Sequence, residues 1–150
     1  MKQHEASIQS LRDVTLPQLM KWRSSLSETS FNCAAHVLGE NIRVALGLHA
    51  LSVNDMPGFG ELMTQSHDSS AHLFNNSCRE LDLLVSLSAK HSECLGARLS
   101  GGGFGGISVH LVRSQDAAAY AEQMADEYQE ACGIRPQAFA CAAADGASLM

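Results

Sequence analysis

Leu95-Gly96-Ala97-Arg98-Leu99-Ser100-Gly101-Gly102-Gly103-Phe104-Gly105-Gly106-Ile107-Ser108-Val109-His110-Leu111-Val112 holds two apolar alternations around a run of glycines. Leu95, Ala97 and Leu99 alternate with Gly96, Arg98 and Ser100; Ile107, Val109 and Leu111 alternate with Ser108, His110 and Val112. A period of two marks strands with one buried face, so this stretch predicts two strands joined by Gly101-Gly102-Gly103-Phe104-Gly105-Gly106. Upstream the period is helical. Thr15-Leu16-Pro17-Gln18 is a capping box with proline in the first turn, where no intrahelical N–H is lost. A short helix through Met20, Trp22 and Leu26 should follow.

From Ser27 to about Asn54 there is no proline, and two adjacent apolar stripes run at a spacing near 3.6. Phe31, Ala34, Ala35, Leu38, Ile42, Ala45 and Leu46 form one; Val37, Val44, Leu48 and Leu51 form the other. That pattern predicts a long helix buried over a wide face. Asn54-Asp55-Met56-Pro57-Gly58 is turn chemistry with Asp55 as N-cap, and the next helix should reach about Phe74, where Asn75-Asn76 breaks it. Ser77-Cys78-Arg79-Glu80 reads as a second capping box, opening a helix with Leu81, Leu84, Val85 and Ser88 on one face. After the strands, Ser114 should cap a helix with the stripe Ala117, Tyr120, Ala121, Met124, Ala125, Tyr128, Ala131 and Cys132, stopped by Gly133. A last strand is expected from about Gln137 to Ala143, with Phe139 and Cys141 on one face. Helices followed by β-β-α-β predict an α+β domain over residues 1–150, a helical layer packed on a small antiparallel sheet.

Composition agrees with one globular domain. The chain has 150 residues, 45% hydrophobic and 17% charged, enough to bury ~70% of its unfolded surface. No apolar run approaches the ~20 residues needed to span a bilayer. Met1-Lys2-Gln3-His4-Glu5 is polar at once, unlike a signal peptide. A net charge of −6 argues against nucleic acid or an anionic membrane as the main partner. Cys33, Cys78, Cys94, Cys132 and Cys141 are odd in number and never form C-x-x-C, which argues for free, buried thiols, against a zinc or iron–sulfur site, and for a cytoplasmic protein.

The glycine run is the most informative local feature. Glycines leave N–H groups unshielded and accept positive φ, as a phosphate-cradling nest requires. Gly101, Gly103 and Gly106 satisfy G-x-G-x-x-G, yet a strand follows where the dinucleotide motif must open a helix. Ile107 stands where a Walker lysine would be needed. From the string alone, close backbone packing or a tight strand connection is the favoured reading over a cradle. His36 and Glu40, at helical i, i+4 spacing, lack a third ligand and suit a surface hydrogen bond better than a metal. Ser66-His67-Asp68 has the residue types of a catalytic triad, but adjacent helix positions splay apart. Arg98, beside the loop, suits a solvated charge or ion pair better than a phosphate contact, and Glu80 is accounted for by capping.

Taken together, these segments resemble the C-terminal part of a galactokinase, in the GHMP sugar-kinase superfamily. Gly96-Ala97-Arg98-Leu99-Ser100-Gly101-Gly102-Gly103-Phe104-Gly105-Gly106 is similar to the family's third motif, with Leu99 and Ser100 in place of Met and Thr and Ile107 where Cys is common. Leu11-Arg12-Asp13-Val14-Thr15, Ala35-His36-Val37-Leu38-Gly39-Glu40-Asn41-Ile42-Arg43, Ser66-His67, Ser77-Cys78-Arg79-Glu80-Leu81-Asp82 and Asp145-Gly146-Ala147 follow the family's order. The resemblance implies a GHMP-kinase C-terminal-type domain and phosphorylation of the anomeric hydroxyl of galactose by ATP with Mg²⁺. It makes Ser100, Gly101, Gly102, Gly103, Phe104, Gly105 and Gly106 the nucleotide-proximal loop, with Arg98 on the phosphate side. The family's sugar signature and serine-rich phosphate loop have no counterpart here. The expectation is therefore a chain without catalytic or metal-binding residues of its own and inactive alone. Its partner would be an N-terminal galactokinase domain or, on the alternative reading, a second copy in a non-catalytic binding module. A kinase for mevalonate or homoserine is a more distant possibility, since the helical segment around Ser77 to Asp82 matches galactokinase better.

Overall fold

The computed structural model describes residues 8–146; the readings placed on Met1 to Glu5 and on Ala147 lie outside them. Ser10 caps a 3-10 turn over Leu11–Asp13. Thr15 then opens helix α1 (Leu16–Lys21) with the expected box: Gln18 N–H donates to Thr15 Oγ1 (3.4 Å), and Thr15 N–H to Gln18 Oε1 (2.8 Å). Helix α2 (Glu28–Ser52) starts at Ser27, whose hydroxyl accepts from Ser30 N–H. Ile8, Val14, Leu19 and Trp22 pack against Ala34 and Leu38, burying the first half of α2.

The second half of α2 departs from expectation. Val44, Leu46, Leu48 and Leu51 are exposed, Val44 at 63% and Leu48 at 66%, and Ile42 is also half outside. Only Gly47 and Ala50 are buried there, Gly47 leaving room for the Phe59 ring. The burial is thus narrower than the stripes predicted, because within the described residues a single neighbouring layer, helix α3 (Met56–Ser69), covers this half.

Asp55 caps α3 as read, accepting from Gly58 N–H (2.9 Å). The helix loosens into a π turn over Ser70–Phe74 and ends at Asn75 in the left-handed region (φ 56°). Helix α4 (Arg79–Ser88) has Cys78 at its N-cap without a side-chain cap, so the second capping box does not form. Ser77 lies one residue too early and donates its hydroxyl to Asp82 Oδ1 (2.5 Å) instead.

Strands β1 (Cys94–Ser100) and β2 (Ile107–Val112) pair antiparallel from Ser100↔Ile107 to Cys94↔Val112, with a bulge between Cys94 and Gly96. α3 lies so close on β1 that a Cβ on Gly96 would sit 1.9 Å from Gly60 O. Helix α5 (Ala117–Cys132) begins at Asp116 rather than Ser114 and stops at Gly133 (φ 78°), as predicted. Leu87, Tyr120, Met124 and Tyr128 form a second core between α4 and α5.

The expected third strand is absent: 137–143 carries no strand pairing, and Phe139 is 82% exposed. Pro136 lacks an N–H, and the alanines after it are weak strand formers. Arg135 turns the chain along α5 through Glu122 (2.8 Å), Gln129 (3.3 Å) and Asp126. The architecture remains α+β, a helical layer with a two-stranded antiparallel sheet. Among the described residues no helix is long and apolar enough to cross a membrane.

Candidate functional site

The glycine loop uses the freedom its composition offers. Gly101, Gly103 and Gly105 have φ of 77°, 83° and 98°, and Phe104 joins them at 57°. Phe104 is 76% exposed, so its ring is not what holds the loop. The hold comes from the segment between α3 and α4. Phe104 N–H donates to Asn76 O (2.9 Å), and Asn76 Nδ2 donates to Gly102 O (3.4 Å). Asn76 Oδ1 is buried without a hydrogen-bond partner. A Cβ on Gly103 would lie 1.9 Å from Asn76 O, whereas one on Gly101 or Gly102 would meet nothing within 4 Å. Close packing and an open surface therefore coexist in one loop.

Ser66, His67 and Asp82 sit behind it. Ser66 donates to Glu40 Oε2 (2.7 Å), while His67, 4% exposed, accepts the Leu99 N–H at Nδ1 (3.2 Å). The backbone donor at Nδ1 leaves the ring proton on Nε2, which faces Asp82 Oδ1 at 3.2 Å. Ser66 and His67 thus diverge, as adjacent helix positions must, and no triad forms. His36 and Glu40 do not bond each other either. His36 Nδ1 meets Ser69 Oγ (2.9 Å) and its ring stacks on Phe74, while Glu40 takes Arg43 (2.5 Å) and Ser66. Burial holds the His36 pKa below the usual imidazole value.

Arg98 donates from Nε to Leu99 O (2.9 Å), with NH1 4.0 Å from Glu40 Oε2, so the guanidinium is tethered beneath the loop as an ion-pair partner. On the far side of β2, His110 joins Tyr120 OH (2.6 Å) and Ser108 Oγ (2.9 Å). Burial drives its pKa down to about 4, so it stays neutral. Cys33, Cys78 and Cys94 are half-buried, but Cys132 and Cys141 are exposed, against the buried reading. Among the described residues no three His, Cys, Asp or Glu side chains converge to hold a metal.

Reading by residue type found the loop and missed its anchors. His67 and Asp82 fall within the stretches that follow the family's order and Asn76 at the predicted helix break, but nothing in their residue types showed that they hold the loop.

Residues 48–130 match the family described as GHMP kinases C terminal. The chain belongs to the GHMP kinase C-terminal domain family. This stretch includes the glycine loop and each of its anchors. A galactokinase of Roseiflexus sp. (strain RS-1) is 35% identical over 146 residues, covering 97% of this chain and 37% of the relative. The structure of Lactococcus lactis galactokinase complexed with galactose superposes at a TM-score of 0.82 and 30% identity, over 89% of this chain and 34% of that one. An L. major mevalonate kinase in complex with R-mevalonate is a weaker likeness, at 0.54 and 26% over 83% of this chain. As a GHMP kinase C-terminal domain, the chain thus resembles galactokinase over nearly its whole length while spanning little more than a third of the galactokinases it matches.

Proposed function

We propose that this domain is the nucleotide-side wall of a galactokinase-type active site. In the assembled enzyme ATP would phosphorylate galactose to galactose 1-phosphate, with the reactive groups on an N-terminal domain. The observation that carries this reading is the 0.82 likeness to a galactokinase together with a matched glycine loop that stays open at Gly101 and Gly102. Phosphoryl transfer is positioning plus charge neutralisation. The loop contributes backbone dipoles, held in place before any phosphate arrives. Ser100 and Arg98 are its nearest polar side chains, and Arg98 is already balanced against Glu40. Among the described residues no three His, Cys, Asp or Glu side chains converge, so this chain would offer magnesium no protein cage of its own and no step is routed through the metal here. The γ-phosphoryl group would pass to the sugar hydroxyl, whose proton would leave to a base on the partner domain.

The test is complementation. The chain, mixed with the N-terminal two-thirds of a galactokinase, should restore galactose-dependent ADP release that neither piece shows alone. No gain over the separate pieces sinks the reading. The exposed apolar half of α2 supports a second reading, in which the domain self-associates as a binding module. A discrete dimer that gains nothing from the N-terminal piece would favour that one.

A further inference from the structure

Two strands and a flexible connection do not by themselves decide where a glycine loop points. In this protein it is held at two places. At its entry, the Leu99 N–H, two residues before Gly101, donates to Nδ1 of His67 (3.2 Å). At its tip, the Phe104 N–H donates to Asn76 O (2.9 Å). Both anchors belong to one unit, because Ser77 follows Asn76 directly and donates to Asp82 Oδ1 (2.5 Å), the atom that His67 Nε2 faces at 3.2 Å. We infer that His67 is the positioning residue of the glycine loop, gripping Leu99 through Nδ1 and oriented by Asp82 and Ser77 through Nε2.

Three observations carry this. His67 and Leu99 are both almost fully buried, at 4% and 1%, so the Leu99 N–H has no water to turn to if the imidazole is removed. That N–H lies on the edge of β1 opposite its β2 partner Ser108, where the ladder offers it no acceptor. The carboxylate of Asp82 lies 3.2 Å from the second nitrogen, a charge contact that favours this ring rotation over the flipped one. A histidine that merely filled core space would need neither the bond to Leu99 nor the contact with Asp82.

The kinetic consequence rests on the proposed kinase reading, but the positioning claim does not, and the experiment separates them. Amide exchange is measured on the ¹⁵N-labelled 150-residue chain carrying His67→Ala or His67→Asn. With His67→Ala the Leu99 and Phe104 amides should exchange about tenfold faster, as for one lost hydrogen bond of ~1.4 kcal/mol, while Tyr120 and Gly133 in and after α5 are unchanged. His67→Asn, whose Oδ1 takes the place of Nδ1, should recover most of the protection at both sites. Asp82→Asn and Ser77→Ala should give smaller changes in the same direction, and they replace the alanine variant if it does not fold. A Leu99 effect that never reaches Phe104 overturns the claim, as does acceleration spread equally through α5.

In the complemented enzyme, His67→Ala should raise KM for ATP about tenfold and leave KM for galactose within about twofold, with His67→Asn restoring it. Equal rises in both overturn the assignment. An inactive wild-type mixture would refute the kinase reading and leave the exchange result standing.

Discussion

A methyl group at position 103 has nowhere to go. It would overlap Asn76 O at 1.9 Å, and φ of 83° is costly for any L side chain. Gly102 differs on both counts, having open space and no left-handed backbone. Gly103→Ala should therefore cost about 2–4 kcal/mol, Gly101→Ala about 1 kcal/mol for its φ alone, and Gly102→Ala less than about 0.5 kcal/mol. Urea denaturation of the three variants checks the order, and equal losses would mean that the loop is not pinned at Asn76. The residue string foretold a run of glycines with unusual backbone freedom, and it has that. It did not distinguish Gly102 from Gly103, because the difference lies in a carbonyl 27 positions away in sequence, which only the folded chain brings near. The role of His67 was missed for the same reason: the triad reading was rightly set aside, but its real partners, Leu99 and Asp82, are remote in sequence.

Between elements, the bond from His110 to Tyr120 ties β2 to α5 across the second core. Burial holds His110 at a pKa of about 4, against 6.5 for the free side chain. Between those values the unfolded chain takes up a proton that the folded chain refuses. Stability is thus full above about pH 6.5 and declines as pH falls toward 4, by on the order of 2 kcal/mol for this half-buried group. His36, lowered by burial as well, acts in the same sense. His110→Gln should flatten much of this slope in thermal melts from pH 7 to 4; an unchanged slope would assign the acid sensitivity elsewhere. Local periodicity did well at this scale. Among the described residues all five α-helices, both strands and the Gly133 stop were readable, because side-chain spacing and cap chemistry are local. The misses were non-local. A strand at 137–143 needs a pairing partner, which periodicity does not see, and Ser77 falls one residue before the N-cap that the fold puts at Cys78.

At the scale of the molecule, the second half of α2 poses the largest question. A helix that is apolar nearly all round belongs inside something, yet here Val44, Leu48 and Leu51 face outward. The two adjacent stripes made the whole helix look like core, and its first half, at Ala34 and Leu38, is core; the second half, with Ile42, Val44, Leu46, Leu48 and Leu51, is apolar for a surface that these residues do not supply. If the proposed N-terminal domain covers it, charges there should leave the isolated domain almost untouched. The variant Val44→Glu, Leu48→Lys, Leu51→Glu also places opposite charges at i, i+4 and i, i+3, which favours the helix slightly. Its unfolding free energy should stay within about 1 kcal/mol of the parent, because exposed substitutions rarely cost more than ~0.5 kcal/mol each. Complementation by the N-terminal piece should nevertheless fall by more than about tenfold, a loss of at least ~1.4 kcal/mol of association. Light scattering on the same variant separates the two proposed occupants: a parent dimer that becomes monomer while complementation persists would identify a second copy as the cover. A large loss of stability would contradict both, since it would mean that the face is already packed within this chain.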